Sequence, residues 1–285
     1  MGKVFIGTSG WQYFHWKGKF YPQDLPQRQW LSFYAKYFDT VEVNATFYHQ
    51  MRPATFGNWR QTVGPNFTFA IKGSRFITHV KRLRDCTEAV ERFIESASGL
   101  LGEAERSAFQ PATQVSSFRS FGHSTQAFSQ GGVRVALEKG AAHLLRRNKH
   151  VILWQLPPGM KADLERLNKF LKILPKTFRQ AFEFRSSTWL TVKVYELLRK
   201  YNMAVVFQDY PGWPITQEIT ADFVYLRFHG RESLYASCYS ETELDEWARK
   251  MKQWLKQGLD VYAYFNNDAE GYAIENAKTL KELLG

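Results

Sequence analysis

The stretch FVYLRFH, residues 223–229, is a run of apolar side chains that ends in charged and polar ones. Near-continuous apolar runs of this length are typical of parallel strands that are buried on both faces. Seven other runs have the same form: VFIGTS (Val4 to Ser9), VEVN (Val41 to Asn44), FTFAIK (Phe67 to Lys72), VILWQ (Val151 to Gln155), QAFEFR (Gln180 to Arg185), MAVVFQD (Met203 to Asp209) and VYAYFNND (Val261 to Asp268).

Helical patterns alternate with these runs. Apolar residues recur every three or four positions over Arg28 to Phe38, Thr87 to Leu100, Ala162 to Leu174, Val192 to Tyr201, Glu241 to Lys256 and Glu270 to Leu284. Strand–helix alternation along a whole chain indicates an α/β fold with a parallel sheet. Eight repeats favour a closed (β/α)8 TIM barrel, and the 285 residues suit a single domain over residues 1–285.

One segment, residues 101–149, interrupts the alternation before the fourth strand. Between Arg106 and Leu137 the chain has no Asp or Glu, is rich in Ser, Gln, Phe and Gly, and shows no clear periodicity. We therefore expect a long, atypical insertion that is poorly ordered over about residues 106–137 and lies on the strand-entry side of the barrel.

Composition and charge limit the class of protein. The formal net charge of +11 favours anionic partners, because a basic surface raises their local concentration. Cys86 and Cys238 have no pairing pattern, which fits a reducing compartment. With no secretory signal and no run long enough to cross a membrane, we expect a cytoplasmic protein without a membrane partner. The sequence does not determine the oligomeric state.

The polar residues at the ends of the strands predict the position of the site. In a (β/α)8 barrel the active site lies at the C-terminal ends of the strands. Three pairs of these residues are two apart and so share one face of their strand: Glu42 with Asn44, Glu183 with Arg185, and Arg227 with His229. We expect these side chains to converge at the mouth of the barrel.

Acid/base chemistry is one role that these residues suggest. Glu183 and Glu42 are the candidate acid and base, since two carboxylates with different pKa values can divide that work. His229 is a candidate proton carrier. The alternative is that each carboxylate only pairs with Lys72, Arg185 or Arg227, because unpaired buried charge is costly.

Anion binding is the second role. Arg185 and Arg227 suit a phosphate or carboxylate as planar forks, and Lys72 suits it as a point charge. Further candidates for substrate binding are the polar residues Asn44, Gln155, Asp209, Asn266, Asn267 and His79, and the aromatic residues Trp11, Tyr48 and Trp189, which could stack on a ring or sugar.

No motif indicates a cofactor. Glu42, Glu183, Asp209 and His229 carry oxygen and nitrogen atoms that suit a divalent metal, so a metal stays open as an alternative. Their spacing matches no known metal motif, and Arg185 would repel a cation. We therefore assign no metal ligands.

Several motifs occur in a fixed order: GTSGW (Gly7 to Trp11), VEVNATFY (Val41 to Tyr48), FAIKGSRFITH (Phe69 to His79), LWQLPP (Leu153 to Pro158), FEFRSSTW (Phe182 to Trp189), YLRFHG (Tyr225 to Gly230) and YFNND (Tyr264 to Asp268). This series resembles the YecE-like family, also called domain of unknown function 72, from Val4 to about Leu284 except roughly residues 101–149. The resemblance implies a TIM barrel. It implies no activity, because the role of the family is not established.

Three functional hypotheses follow. The first is a hydrolase-like enzyme that acts on a phosphorylated sugar, a nucleotide or a nucleic-acid end. The second is a nucleic-acid-binding protein without catalysis. The third is a carbohydrate-active enzyme that uses two carboxylates as a glycosidase does.

Overall fold

Eight parallel strands form the wall of a barrel in the computed structural model, which describes residues 1–108, 148–214 and 217–285. The strands are β1 Val4–Thr8, β2 Thr40–Val43, β3 Thr68–Lys72, β4 Val151–Gln155, β5 Arg179–Glu183, β6 Ala204–Asp209, β7 Phe223–Phe228 and β8 Asp260–Phe265. Their order is β1-β8-β7-β6-β5-β4-β3-β2, and every hydrogen-bonded pair is parallel. The eight strands predicted from the apolar runs are therefore confirmed.

β1 and β2 are the two end strands in the sheet order. Side chains bridge the seam between these two strands. The Tyr34 hydroxyl accepts a hydrogen bond from the Thr8 backbone N–H at 3.0 Å and donates one to the Thr40 carbonyl at 3.1 Å. Gly7 allows this approach, since a Cβ there would lie 2.3 Å from the Thr40 carbonyl oxygen. The buried Tyr34 hydroxyl thus replaces part of the backbone hydrogen bonding that would otherwise join β1 and β2.

Helices cover the outside of the barrel. In chain order they are α1 Trp30–Tyr34, α2 Ala45–Tyr48, α3 Pro53–Val63, α4 Thr87–Ala97, α5 Glu103–Ala108, α6 Leu164–Ile173, α7 Val192–Tyr201, α8 Glu241–Lys256 and α9 Tyr272–Leu284. Side-chain caps set some of the starts: Asp163 and Thr191 accept backbone N–H bonds from Arg166 and Val194 at the first turns of α6 and α7. Ser240 and Glu243 form a capping box on α8.

Two features differ from the sequence prediction. Helix α3 lacks a predicted counterpart because Phe56 is its only fully buried residue, so it carries little apolar periodicity. Between β6 and β7, the described residues form no helix.

Most of the predicted insertion lies outside the described residues. Within the part of the chain that is described, no helix combines the length and apolar character that a membrane span requires.

Two apolar cores hold the barrel together. The larger lies between the strands and the helices. The smaller fills the barrel itself, where Phe5 stacks on Tyr262 with ring centroids 4.7 Å apart. At the strand-entry end, Asp260 pairs with Lys149 and Arg179. The packed interior of the barrel separates these charged groups from those at the opposite, C-terminal end of the strands.

Candidate functional site

An arginine clamped by two carboxylates forms the floor of the barrel mouth. Arg227 donates from Nε to Glu42 Oε2 at 2.9 Å and from Nη2 to Glu42 Oε1 at 2.7 Å. Its Nη1 donates to Glu183 Oε2 at 2.6 Å. The Tyr225 hydroxyl donates to Glu42 Oε2 at 2.8 Å. All of these side chains are buried, so the whole fork of Arg227 is committed inside the protein.

Arg185 and Gln155 complete the coordination of Glu183. Gln155 Nε2 donates to Glu183 Oε1 at 2.9 Å, and Arg185 Nη2 pairs with the same oxygen. The Arg185 guanidinium also lies over the Tyr210 ring, 5.2 Å from its centroid. Arg185 Nε is buried and has no hydrogen-bond partner among the described residues. Arg185 is thus the outermost cation of the network and keeps a free donor.

His229 lies behind these arginines. Its Nε2 is 3.4 Å from Arg185 Nη2 and 3.5 Å from Arg227 Nη1. Guanidinium groups can only donate, so the ring presents a lone pair to them. Its Nδ1 lies 3.1 Å from the side-chain amide of Asn266. His229 is fully buried, and burial together with the Arg227 charge holds its pKa well below the usual value, so the ring is neutral.

Charge pairing decides whether the Glu183 carboxylate is ionised. Burial alone would raise the pKa of Glu183, but the Arg227 and Arg185 guanidinium groups outweigh it and hold that pKa well below its usual range. In turn, burial would lower the pKa of Arg227, but Glu183 and Glu42 raise it above the usual value. Glu183 is therefore ionised at every physiological pH.

A cavity of about 490 Å³ opens above this network. Its lining contains four cations and, among the described residues, no Asp or Glu; the lining residues are Asn44, Phe47, Tyr48, Lys72, Arg75, His79, Gln155, Leu156, Pro158, Arg185, Arg227, Tyr235 and Asn266. Cations in a concave wall attract anions more strongly than the same cations on an open surface.

Lys72 ends β3 and reaches into the cavity. Its Nζ lies 4.5 Å from the centroid of the Phe47 ring. Burial, and next the Arg227 charge, lowers the pKa of Lys72 to about 8. Burial and the Lys72 charge likewise lower the pKa of His79 to about 4, so His79 is neutral at pH 7. Among the cavity-lining groups whose pKa is shifted, the Lys72 amine therefore has the pKa closest to 7.

The loop after β7 holds an aromatic side chain at the cavity in a strained conformation. Tyr235 has a φ of 65°, in the left-handed region that non-glycine residues rarely adopt. Its N–H donates to the His229 carbonyl at 2.6 Å, and its ring lies 5.6 Å from the His229 ring. Gly230, with a φ of 92°, would clash with the Ser233 carbonyl if it carried a Cβ. Such strain is common at functional sites.

Most of the sequence-predicted site residues lie together. Glu42, Glu183, Arg227 and His229 form the buried network; Asn44, Tyr48, Lys72, His79, Gln155, Arg185 and Asn266 line the cavity with Arg227. The three pairs expected to share a face therefore reach one place, where the barrel mouth was predicted.

Four predicted residues lie elsewhere. Trp189 is fully buried, donates to the Met160 carbonyl and stacks on Phe184, and Trp11 is buried as well, so the stacking surfaces expected from them are wrong. Asp209 accepts hydrogen bonds from Trp247 and Arg231. Asn267 donates to Ser237 and Asn276. Aromatic type alone does not distinguish a ligand surface from a core residue.

Tyr225, Phe47, Arg75 and Tyr235 belong to the site but were not among the predicted site residues. Tyr225 could have been found, since it precedes Arg227 by two residues and shares its face of β7. Arg75 follows Lys72 in a basic stretch. Tyr235 carries no sequence signal, because its place depends on the fold of its loop.

The residues do not fit the divalent metal that the sequence left open. Both oxygens of Glu42 face Arg227, while Asp209 is engaged by Trp247 and Arg231. In residues 1–108, 148–214 and 217–285, no three His, Cys, Asp or Glu side chains are grouped as metal ligands. Guanidinium groups fill the positions beside the carboxylates.

Comparisons with known proteins agree with this architecture. A family model described as "Protein of unknown function DUF72" matches residues 5–139 and 108–285. UPF0759 protein YunF of Bacillus subtilis strain 168 is 22% identical over 315 residues, covering 99% of this chain and 94% of its own length. UPF0759 protein YecE of Escherichia coli K12 is 34% identical over 67 residues, 24% of this chain and 25% of its own length.

Solved structures show the same fold. A DUF72 family protein from Thermotoga maritima has a TM-score of 0.75 and 27% identity, with 99% of each chain covered. One from Enterococcus faecalis has a TM-score of 0.69 and 18% identity, with 99% of this chain and 95% of that chain covered. The names of these relatives give a family and no ligand.

Proposed function

The chain belongs to the DUF72 family, as its ordered motifs predicted, and because the family description names no activity, we propose from the barrel mouth that this protein is an enzyme acting on a small ligand that carries a phosphate or carboxylate group. One observation carries the proposal. Lys72, Arg75, Arg185 and Arg227 line the cavity, and no acid among the described residues lines it with them.

The charge balance supports an anionic ligand. The network and its rim contain four cations, Lys72, Arg75, Arg185 and Arg227, against two carboxylates, Glu42 and Glu183, which leaves a net charge of +2 if Lys72 is protonated. The carboxylates pair with Arg227 and Arg185, which leaves the positive charges of Lys72 and Arg75 without an opposite charge among the described residues. A phosphate or carboxylate in the cavity would supply the missing negative charge.

The roles of the carboxylates and of His229 follow from their burial. Glu42 and Glu183 have no exposed surface, and each is held by an arginine. Glu183, whose pKa is strongly lowered, is a weak base and carries no proton to give as an acid. We therefore assign Glu42, Glu183 and His229 as positioning residues that orient Arg227 and Arg185. This makes hydrolysis by activated water a weaker proposal than anion recognition.

The shape of the cavity favours a small ligand. A volume of about 490 Å³ suits a phosphorylated sugar or a nucleotide. Asn44, Gln155 and Asn266 offer neutral amide groups for hydroxyl or carbonyl oxygens of such a ligand. Tyr48 is 70% exposed on the rim and offers a ring face. The free cysteines Cys86 and Cys238 support a reducing, cytoplasmic location for the protein.

Calorimetric titration with inorganic phosphate and with phosphorylated sugars tests the proposal. We expect binding in the wild type and binding weaker by roughly 10- to 100-fold in Arg185→Gln, the scale of one hydrogen bond to a charged group. Arg75→Gln removes an exposed cation of the cavity lining, so we expect it to weaken binding without unfolding the protein. Arg249→Gln, on an exposed ion pair of α8, is the control. Equal affinities in all four proteins would refute the anion pocket.

Salt dependence separates a small ligand from nucleic acid. An extended nucleic acid touches several phosphates, and its affinity falls steeply as salt rises. A single phosphate group in a cavity gives a shallow dependence. Tight binding of short single-stranded DNA with a steep salt slope, and weak binding of sugar phosphates, would favour the nucleic-acid hypothesis instead.

A further inference from the structure

We propose that Lys72 is the reactive group of this pocket and that its Nζ forms a Schiff base with an aldehyde or ketone group of the bound anionic ligand. The inference rests on the proposed function, because the cations around Lys72 would hold the anionic end of that ligand. It goes beyond that function by naming the nucleophile and the class of substrate, a small carbonyl compound with a phosphate or carboxylate group.

The first argument is the isolation of the amine. Arg227 and Arg185 each pair with a carboxylate, whereas Lys72 Nζ has no hydrogen bond or ion pair with any described residue. One side of the amine faces the Phe47 ring. The other faces the cavity, which Lys72 lines. The amine is therefore positioned by packing and remains available to a ligand.

The second argument is the protonation state. A Schiff base forms only from the neutral amine. Burial and the Arg227 charge lower the pKa of Lys72 to about 8. About one such amine in ten is then neutral at pH 7, against fewer than about one in a thousand for an ordinary lysine. Desolvation and neighbouring cations are the usual means by which proteins activate lysine nucleophiles.

The third argument is the fate of the charge. The neutral amine nitrogen attacks the carbonyl carbon, and one proton passes from nitrogen to the former carbonyl oxygen to give a carbinolamine. A second proton, taken from solvent in place of the one that the ammonium form of Lys72 released to it, converts this hydroxyl to water, which leaves as the C=N bond forms. The protonated product keeps the positive charge at the same place. Glu42 and Glu183 both favour a cation there, and so does the Phe47 ring face. The site thus accommodates both the free lysine and the iminium ion.

The geometry also places the anion-binding groups beside the amine. Arg185 and Arg75 line the same cavity as Lys72. A ligand whose carboxylate or phosphate lies against these guanidinium groups would have its carbonyl group within a few bonds of the anion. Holding the two reactants in place makes the attack effectively unimolecular. A neutral aldehyde lacks this anchor and should react more slowly.

Reductive trapping tests the proposal. The protein is incubated with glyoxylate, which has an aldehyde and a carboxylate, and cyanoborohydride supplies the hydride that converts the imine to a stable secondary amine. Peptide mapping by mass spectrometry then compares Lys72 with the exposed Lys161 in the same molecule. We expect labelling of Lys72 to be at least about tenfold faster, with a midpoint near pH 8.

Two controls keep the outcomes distinct. Propionaldehyde, which lacks the carboxylate, should label Lys72 more slowly than glyoxylate does. Lys72→Arg cannot form an imine and should lose the fast labelling, whereas Lys161→Arg, at an exposed position, should keep the fast labelling of Lys72. If Lys72 and Lys161 react equally while the wild type binds phosphate, the Schiff base is overturned and the anion pocket stands. If phosphate does not bind but Lys72 is labelled fast by both aldehydes, the anion pocket is overturned instead.

Discussion

Arg227 on β7 donates two hydrogen bonds to the two carboxylate oxygens of Glu42 on β2, at 2.9 and 2.7 Å, across the inside of the barrel. The two strands are not hydrogen-bonded to each other, so this contact exists only because the sheet curves round on itself. It places a fixed, buried charge pair beneath the cavity. The cationic side chains that line the cavity lie above this pair.

The clamp on Arg227 predicts a large effect on stability. Arg227→Met leaves Glu42 and Glu183 as buried carboxylates without their main partner, and we expect it to lower the free energy of unfolding by about 3–5 kcal/mol. Urea denaturation at pH 7 measures this. Arg249→Met breaks only an exposed pair with Asp245 and should change stability by less than about 1 kcal/mol. Equal effects of the two substitutions would contradict the structural role of Arg227.

Removing the hydroxyl of Tyr34 should weaken the barrel seam. Tyr34→Phe leaves the Thr8 N–H and the Thr40 carbonyl without this partner in a buried place. We expect a loss of roughly 1–3 kcal/mol, measured by thermal or urea unfolding. Tyr37→Phe is the matched control, because Tyr37 is 42% exposed, and it should stay within about 0.5 kcal/mol of the wild type. If Tyr34→Phe changes stability as little as Tyr37→Phe does, backbone contacts alone hold the seam together.

Substitution of Lys72 should be stabilising in a pH-dependent manner. Because burial lowers the pKa of Lys72 to about 8, the unfolded chain holds this proton more tightly than the folded one. The charged lysine therefore destabilises the fold fully below pH 8, and the penalty fades as the pH rises from 8 toward about 10.5, where both states are neutral. We expect Lys72→Met to have a higher melting temperature than the wild type at pH 7.

The difference between Lys72→Met and the wild type should shrink between pH 8 and pH 10 in the same buffers. Lys161→Met, at an exposed position, should show no such change with pH. A constant difference at all pH values would indicate that the effect comes from packing and not from the charge.

Neutralising Glu183 should affect stability and leave anion binding intact. Glu183→Gln removes a charge that pairs with Arg227 and Arg185, at a cost of roughly 1.5–3 kcal/mol at pH 7. The lowered pKa means that the wild-type carboxylate stabilises the fold above about pH 4.5 and loses this contribution as the pH falls. The stability difference between the wild type and the variant should therefore narrow in acid.

Phosphate titration completes the test of Glu183, since the cavity of the variant is more positive and should bind phosphate at least as well. Glu165→Gln, in an exposed pair with Lys169, is the matched control for stability. A large loss of phosphate affinity in Glu183→Gln would show that the negative charge of Glu183, and not only its hydrogen bonds to the arginines, is needed for binding.

Local patterns account for much of the site. The period of two along a strand placed Arg227 and His229 on the same face, and the same rule, extended one step back, reaches Tyr225. Aromatic residues were less informative, because Trp189 and Tyr48 look alike in sequence while one is fully buried and the other is 70% exposed. Burial depends on which distant residues pack over a side chain, and short-range periodicity carries no information about those residues.

The sequence by itself determined the eight strands, most of the helices and the end of the barrel where charged side chains meet, because these follow from spacings of two to four residues and from the parallel direction of the strands. The tertiary structure alone decided which charges neutralise one another. Glu42 and Arg227 are 185 residues apart, and a carboxylate pairs with whichever cation the closed barrel brings within about 3 Å. That choice left Lys72 without a partner among the described residues, and so made it the group of greatest chemical interest.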